Sequence, residues 1–229
     1  MLLIFEFLPP VHPKHYIVFF GGAGVSTDSG IPDFRSKDGL YNQHDVKFDM
    51  FSPEYLLSHS CLYENSKVFY EFYRQKLNVE GIEPNITHKK LAELEKEGKL
   101  SAVITQNIDG LHQKAGSKMV YEVHESTLRN YCDRCHKTYP SDYIFKSEEQ
   151  VPHCEVSGCK GMIRPDVTLY EEGLPDYAWE GAINALRQAD MLIIGGTSGV
   201  VYPANTLVNK FCGRYMVIIN REETRFEEY

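Results

Sequence analysis

The sequence has no surplus of positive charge. Its 24 Lys and Arg stand against 32 Asp and Glu, a formal net charge of -8. That balance argues against a sequence-independent hold on DNA or RNA phosphates, and so against direct nucleic-acid binding. It suits a basic protein or peptide partner. Long hydrophobic runs are also missing, and nothing approaches the roughly 20 apolar residues that cross a bilayer, so no membrane partner is expected. The opening MLLIFEFLPP is apolar but has no basic leader. Glu6 interrupts it, Pro9 and Pro10 end it, and no small-residue cleavage site follows. The expectation is a cytoplasmic protein. Six cysteines would permit disulfides in a secreted protein, but four have metal spacing and Cys61 and Cys212 lie alone.

What is present begins with a continuous apolar run, Ile17-Val18-Phe19-Phe20, which reads as a buried strand. Glycines at 21, 22 and 24 follow. They permit a tight turn and a close backbone approach to a phosphate, as where a doubly wound sheet meets a dinucleotide. The spacing is not G-x-G-x-x-G. Pro32-Asp33-Phe34-Arg35 then sets an acid, an aromatic and a guanidinium side by side. Ser52-Pro53-Glu54 reads as a helix start, and Glu64 to Leu77 places Val68, Phe69, Phe72, Tyr73 and Leu77 on one core-facing stripe. The segment from Leu40 to Phe51 has no clean period and reads as mobile. Asn85 to Glu97 is an amphipathic helix closed by Gly98.

A second short strand, Ala102 to Thr105, runs into Gln106-Asn107-Ile108-Asp109-Gly110, polar residues where a parallel sheet binds ligands. Val120 to Val123 is a third, ending at His124. Cys132-x2-Cys135 and Cys154-x4-Cys159 supply four soft ligands from two short loops. With no acidic or water-holding partner among them, this reads as a structural zinc site, with His136 and His153 as bystanders. Ile163 to Val167 leads back to the main sheet, and Asp176 caps a helix carrying Trp179, Ile183 and Leu186. Met191 to Ile194 opens onto Gly195-Gly196-Thr197-Ser198, a second glycine and hydroxyl cradle. The last strand runs from Tyr215 to Asn220.

GAGVSTDSGIPDFRS and TQNIDGLHQKAG, in this order with the His and the cysteine pairs, resemble the sirtuins, NAD-dependent protein-lysine deacylases. The resemblance runs from residue 17 to about 222. It implies α/β architecture: a Rossmann-like doubly wound parallel sheet (1–127 and 166–229, with a helical insert at about 37–84) and a small inserted zinc-binding domain at 128–165. It implies NAD contacts from Gly22, Ala23, Thr27, Phe34, Arg35, Gln106, Asn107, Ile108, Asp109, His124, Gly196, Thr197, Ser198, Asn220 and Arg221. His124 is then the general base, Asp109 binds the nicotinamide carboxamide, and Asn107 orients the ribose or a water. Phe34 keeps out water, and Arg35 stabilises diphosphate or developing charge.

The partner implied is an acyl-lysine protein or peptide. Tyr170 to Pro175 and Val200 to Ala204 form the walls of its groove, and Tyr73 and Lys76 stand near the acyl group. Two other outcomes share the nucleotide site: ADP-ribosyl transfer or NAD hydrolysis, and a module that binds NAD or acyl-lysine without turnover. The chain departs from the family pattern at Gly21 (commonly Thr), Glu125 and Glu171 (usually Gly), and Gly199 (commonly Leu or Asn). A further strand and helix are usual after the last strand, and a fuller helix before the first, so both ends are expected to be trimmed or reduced.

Overall fold

The computed structural model describes residues 16–226, and the readings of the two chain ends lie outside them. The apolar run Ile17–Gly21 forms β1, buried at every position, because it has a strand on each edge and a helix against each face. Three short helices follow: α1 (Pro53–Leu56), α2 (His59–Glu64) and α3 (Ser66–Lys76). The hydroxyls of Ser52 and Ser58 accept the N–H groups of Tyr55 and Cys61, so each serine starts a helix by satisfying an orphan donor. Helix α4 (Ile86–Lys96) begins with a capping box. Asn85 accepts from the His88 N–H, and the His88 ring accepts back from the Asn85 N–H.

Next come β2 (Leu100–Thr105), α5 (Leu111–Ala115), β3 (Val120–Glu122), β4 (Glu125–Cys132), β5 (Thr138–Pro140) and α6 (Asp142–Phe145). The described chain closes with β6 (Ile163–Val167), α7 (Asp176–Gln188), β7 (Met191–Gly195) and β8 (Tyr215–Ile219). The main sheet has the order β3-β2-β1-β7-β8, and its pairs are parallel. Its two faces divide the β1 side chains by the strand period. Val18 and Phe20 pack with Ala182 and Leu186 of α7, whereas Ile17 and Phe19 pack with Leu91 of α4. Strand order reverses at β1, which puts the crevice for a ligand at the carboxyl ends of β1 and β7.

The second sheet is antiparallel, in the order β5-β4-β6. Its core is shared with the short helices: Phe69, Tyr70 and Tyr73 of α3 are buried with Ile144 and Ile163. Tyr70 donates its hydroxyl to the Ile163 carbonyl at 2.7 Å. Arg74 donates to the carbonyls of Ile144 and Glu149. Among the described residues no helix is long and apolar enough to cross a membrane.

Three local expectations change. Ile163–Val167 does not join the main sheet; it pairs with β4, where Tyr131 faces Arg164 and Cys132 faces Ile163, next to the loops that carry the four cysteines. Asp176 is the first helical residue and not the cap, a place held by Pro175. Its carboxylate still favours the positive helix end. Tyr73 does not approach the cleft. Its ring is stacked between Phe69 and Phe145, since burial of a large aromatic outweighs any gain from a polar edge.

Glu125 and Glu171 adopt φ of 62° and 76°, the left-handed region in which a side chain costs about 1–2 kcal/mol. Glu171 has compensation: its carboxylate accepts the Ser60 N–H at 2.9 Å and hydroxyl at 2.7 Å. Glu125 has only the Thr168 hydroxyl at 3.2 Å. Burial and then Asp166 push its carboxyl above the usual range. Glu125→Gly is therefore expected to stabilise the fold by about 1 kcal/mol, and Glu171→Gly to leave it within about 0.5 kcal/mol of the parent. Urea unfolding of both variants decides this, and a destabilised Glu125→Gly would refute it.

Candidate functional site

Two glycine turns meet at the crevice. A Cβ on Gly24 would lie 2.9 Å from the Gly196 Cα and carbonyl oxygen, and one on Gly22 would lie 2.7 Å from the Thr197 Cβ. The Gly22 N–H donates to the Gly195 carbonyl and the Gly24 N–H to that of Gly196, at 3.2 and 2.9 Å. These glycines thus serve the close packing of turn on turn, and their N–H groups are already engaged. Ala23 lies between them and lines the adjoining cleft. At Gly21 a Cβ would come within 2.7 Å of the Phe19 ring, which gives a reason for glycine there.

The cleft, open to solvent, is lined by Ala23, Ser26, Phe34, Asn107, Ile108 and Asp109, with Lys76 at its side. At its base is a buried polar node. The Ser26 hydroxyl donates to Asp109 Oδ2 at 2.6 Å and accepts from Asn107 Nδ2 at 3.0 Å. Asp109 Oδ1 accepts the Leu111 N–H at 2.9 Å. Buried polar groups this fully paired form a rigid recognition surface for an amide or sugar.

His124 follows β3. Its Nδ1 donates to the Gln106 carbonyl at 2.9 Å, which leaves Nε2 as the basic nitrogen of the neutral ring. Burial, and then the nearby Arg35 guanidinium, push its pKa down against the opposing pull of the Gln106 carbonyl. The Gln106 side chain donates to Thr197 Oγ1 at 3.1 Å, so the loop after β2 spans both the base and the second glycine turn. Phe34 meets Tyr41 edge-on at 5.4 Å. Arg35 donates to the Tyr170 hydroxyl at 3.0 Å, and the hydroxyls of Tyr41 and Tyr170 share a hydrogen bond at 3.1 Å.

The remaining residues named from the sequence stand apart from the cleft. Thr27 donates to the Gly24 carbonyl, and Ser198 is exposed on the second turn. Asn220 lies just past β8 with its amide on the Glu222 carbonyl. Arg221 reaches Asp28 of the first turn at 3.3 Å. Sequence reasoning missed Ser26, although it sits inside the quoted glycine stretch, and the contact between Arg35 and the groove-wall Tyr170, 135 residues distant. These turns, with Ala23 and the polar node, fit a dinucleotide.

The four cysteine sulfurs lie within 4.8 Å of one another, with Cys132 to Cys159 at 3.5 Å and Cys135 to Cys154 at 3.6 Å. Tetrahedral zinc at about 2.3 Å from each sulfur needs edges of about 3.8 Å, so the set fits the metal. N–H groups of Arg134 and Cys135 point at the Cys132 sulfur, and that of Val156 at the Cys154 sulfur, each at 3.4 Å. Such donors stabilise thiolates. Neither His136 nor His153 belongs to the cluster.

Behind the cleft, His112 is buried against His88, ring centroids 4.7 Å apart. Burial pushes His112 down to about 3 and lowers His88 as well. The unfolded chain binds protons at these histidines below about pH 6.5 while the folded chain does not. Unfolding free energy should therefore fall as pH drops below 6.5, by up to about 1.4 kcal/mol per pH unit for His112 alone. Denaturant melts between pH 7 and 5 test this; His112→Leu should flatten the slope, and an unchanged slope would disprove the assignment.

Comparison with known proteins agrees with this geometry. A family model, the Sir2 family, matches residues 22–203. An NAD-dependent protein deacetylase of Clostridium acetobutylicum is 50% identical over 211 residues, covering 92% of this chain and 84% of that protein. One from Clostridium perfringens is 54% identical, covering 91% and 84%. A solved Sir2 with p53 peptide and NAD+ superposes with a TM-score of 0.79 at 39% identity, covering 93% of this chain and 84% of that one. A Sir2 bound to acetylated peptide gives 0.80 at 36%, with the same coverage.

Proposed function

The chain belongs to the Sir2 family, and from that premise we propose that it removes acyl groups, acetyl foremost, from protein lysines in an NAD-dependent reaction that releases nicotinamide and O-acyl-ADP-ribose. The observation that carries this is the pairing of His124, its Nδ1 tied to the Gln106 carbonyl, with the node that Asn107 and Asp109 of the same loop form with Ser26. When bound, NAD supplies a ribose carbon with a cationic nicotinamide leaving group, open to the acyl oxygen of the substrate lysine. Asp109 and Asn107 orient the nicotinamide and ribose. Phe34 covers the cleft and excludes water. His124 Nε2 takes a proton from a ribose hydroxyl.

Arg35 exchanges the neutral Tyr170 hydroxyl for the diphosphate, a stronger charge-assisted partner. Ala23, Thr27, Gly196, Thr197 and Ser198 hold the phosphates and ribose, with Asn220 and Arg221 at the adenosine end. The peptide lies between residues 170–175 and 200–204, by strand addition. Cys132, Cys135, Cys154 and Cys159 hold a structural zinc. The two sheets support a division into a nucleotide-binding domain and a smaller zinc domain. Reduced thiols in a zinc set support a cytoplasmic site of action, and the net charge of -8 supports a protein rather than a nucleic-acid partner.

The test is nicotinamide release from NAD with and without an acetyl-lysine peptide. Peptide-dependent release with deacetylated product supports the reading. Release without peptide favours ADP-ribosyl transfer or NAD hydrolysis, and NAD binding without release leaves only a binding module.

A further inference from the structure

Outside the cleft, α4 grips the first glycine turn by two contacts from its capping box. Asn85 Nδ2 donates to the Val25 carbonyl at 2.8 Å, and His88 Nε2 lies 3.4 Å from the Ser26 hydroxyl. The ring's other nitrogen decides what that second contact is. His88 Nδ1 accepts the Asn85 N–H at 3.3 Å, so the neutral ring carries its proton on Nε2 and donates it to Ser26. Asn107 Nδ2 donates to the same oxygen at 3.0 Å. With both of its acceptor positions taken, the Ser26 hydroxyl has one direction left for its own proton, towards Asp109 Oδ2 at 2.6 Å.

We propose that His88 is a positioning residue for nicotinamide recognition, its capping-box tautomer turning the Ser26 hydroxyl onto Asp109. The inference rests on the NAD-dependent reading above. His88 never touches the cleft; it acts through Ser26, and it is fully buried. The His112 ring packs edge-on against it, centroids 4.7 Å apart and planes inclined by 65°. A helix cap 62 residues from the turn thereby sets the orientation of a carboxylate at the base of the site. Remove the Nε2 donor and the serine proton is free to swing, so Asp109 loses a fixed partner at one oxygen.

Two substitutions separate the ring's two roles. Asparagine in His88→Asn places an acceptor where Nδ1 was and so keeps the cap, but it cannot reach Ser26. Glutamine in His88→Gln places a donor where Nε2 was and gives up the cap. The probes are NAD and ADP-ribose, which lacks nicotinamide, titrated by calorimetry into each protein. His88→Asn is expected to weaken NAD about tenfold while ADP-ribose stays within about twofold, and His88→Gln to keep the wild-type ratio of the two affinities. Equal weakening of both ligands in His88→Asn would mean a merely structural role and overturn the proposal, as would no weakening. Should His88→Asn fail to fold, His88→Gln decides alone: a wild-type ratio supports the proposal and a tenfold lower one overturns it. A wild-type protein that binds neither ligand would instead sink the functional reading and this inference with it.

Discussion

Replacing His124 by alanine is expected to lower peptide-dependent deacetylation by about 10²–10⁴-fold, the range for removal of a general base, with NAD affinity little changed. The ring is held in one tautomer by the Gln106 carbonyl, and on the proposed reading its free Nε2 is the atom that takes the proton. Burial and Arg35 push its pKa down, so the base stays neutral to lower pH than an ordinary histidine. The acid limb of kcat/KM should then fall below about pH 6.5. Steady-state kinetics across pH 5 to 8 check both points. Activity within tenfold of the parent, or an acid limb above 7, would remove His124 from the role.

The second large effect concerns the metal. Cys159→Ser, or a strong chelator, is expected to cost several kcal/mol, because binding energy at a structural zinc is folding energy. The loss cannot stay within the small sheet. Cys132, Cys159 and Ile163 share one buried cluster with Phe69, Tyr70 and Tyr73 of α3, and Tyr70 and Arg74 bond directly to the small sheet's carbonyls. Deprotection should spread through α1 to α3 and to Lys76 and Leu77 at the wall of the cleft, while β1, β2 and β7 stay protected. Hydrogen exchange with and without chelator would read this pattern. Uniform protection throughout, or a parent protein that purifies without stoichiometric zinc, would contradict it.

Much of this was legible in the residues. β1 and β7 are continuous apolar runs that end in glycine, and such runs record burial from both faces, complete in β1 and broken in β7 only at the partly buried Ile193. The cysteine spacing carried the metal set, because ligand geometry is local. Ser52, Asn85 and Gly98 marked helix boundaries by their caps. Other features had no local trace. Ile163–Val167 reads as a strand, but nothing in its period names its partner, β4. Gly22 and Gly24 read as a phosphate turn, and the second turn packed against them is a further reason for glycine that no spacing shows. The contact between His88 and Ser26 depends on how α4 docks, which no spacing encodes.

The zinc-bearing sheet leaves and rejoins the main body at neighbouring points, since Glu125 at the start of β4 is the Cα partner of Val167 at the end of β6. A segment whose ends are already side by side closes its own loop whatever its length. Doubling the intervening chain adds only about 0.6 kcal/mol of closure entropy, and none of it falls on β3 or α7. Exposed loops of the module can therefore lengthen or shorten at little entropic cost while the hinge points keep their spacing. The core it shares with α3 is the part that cannot be exchanged without disturbing the cleft wall.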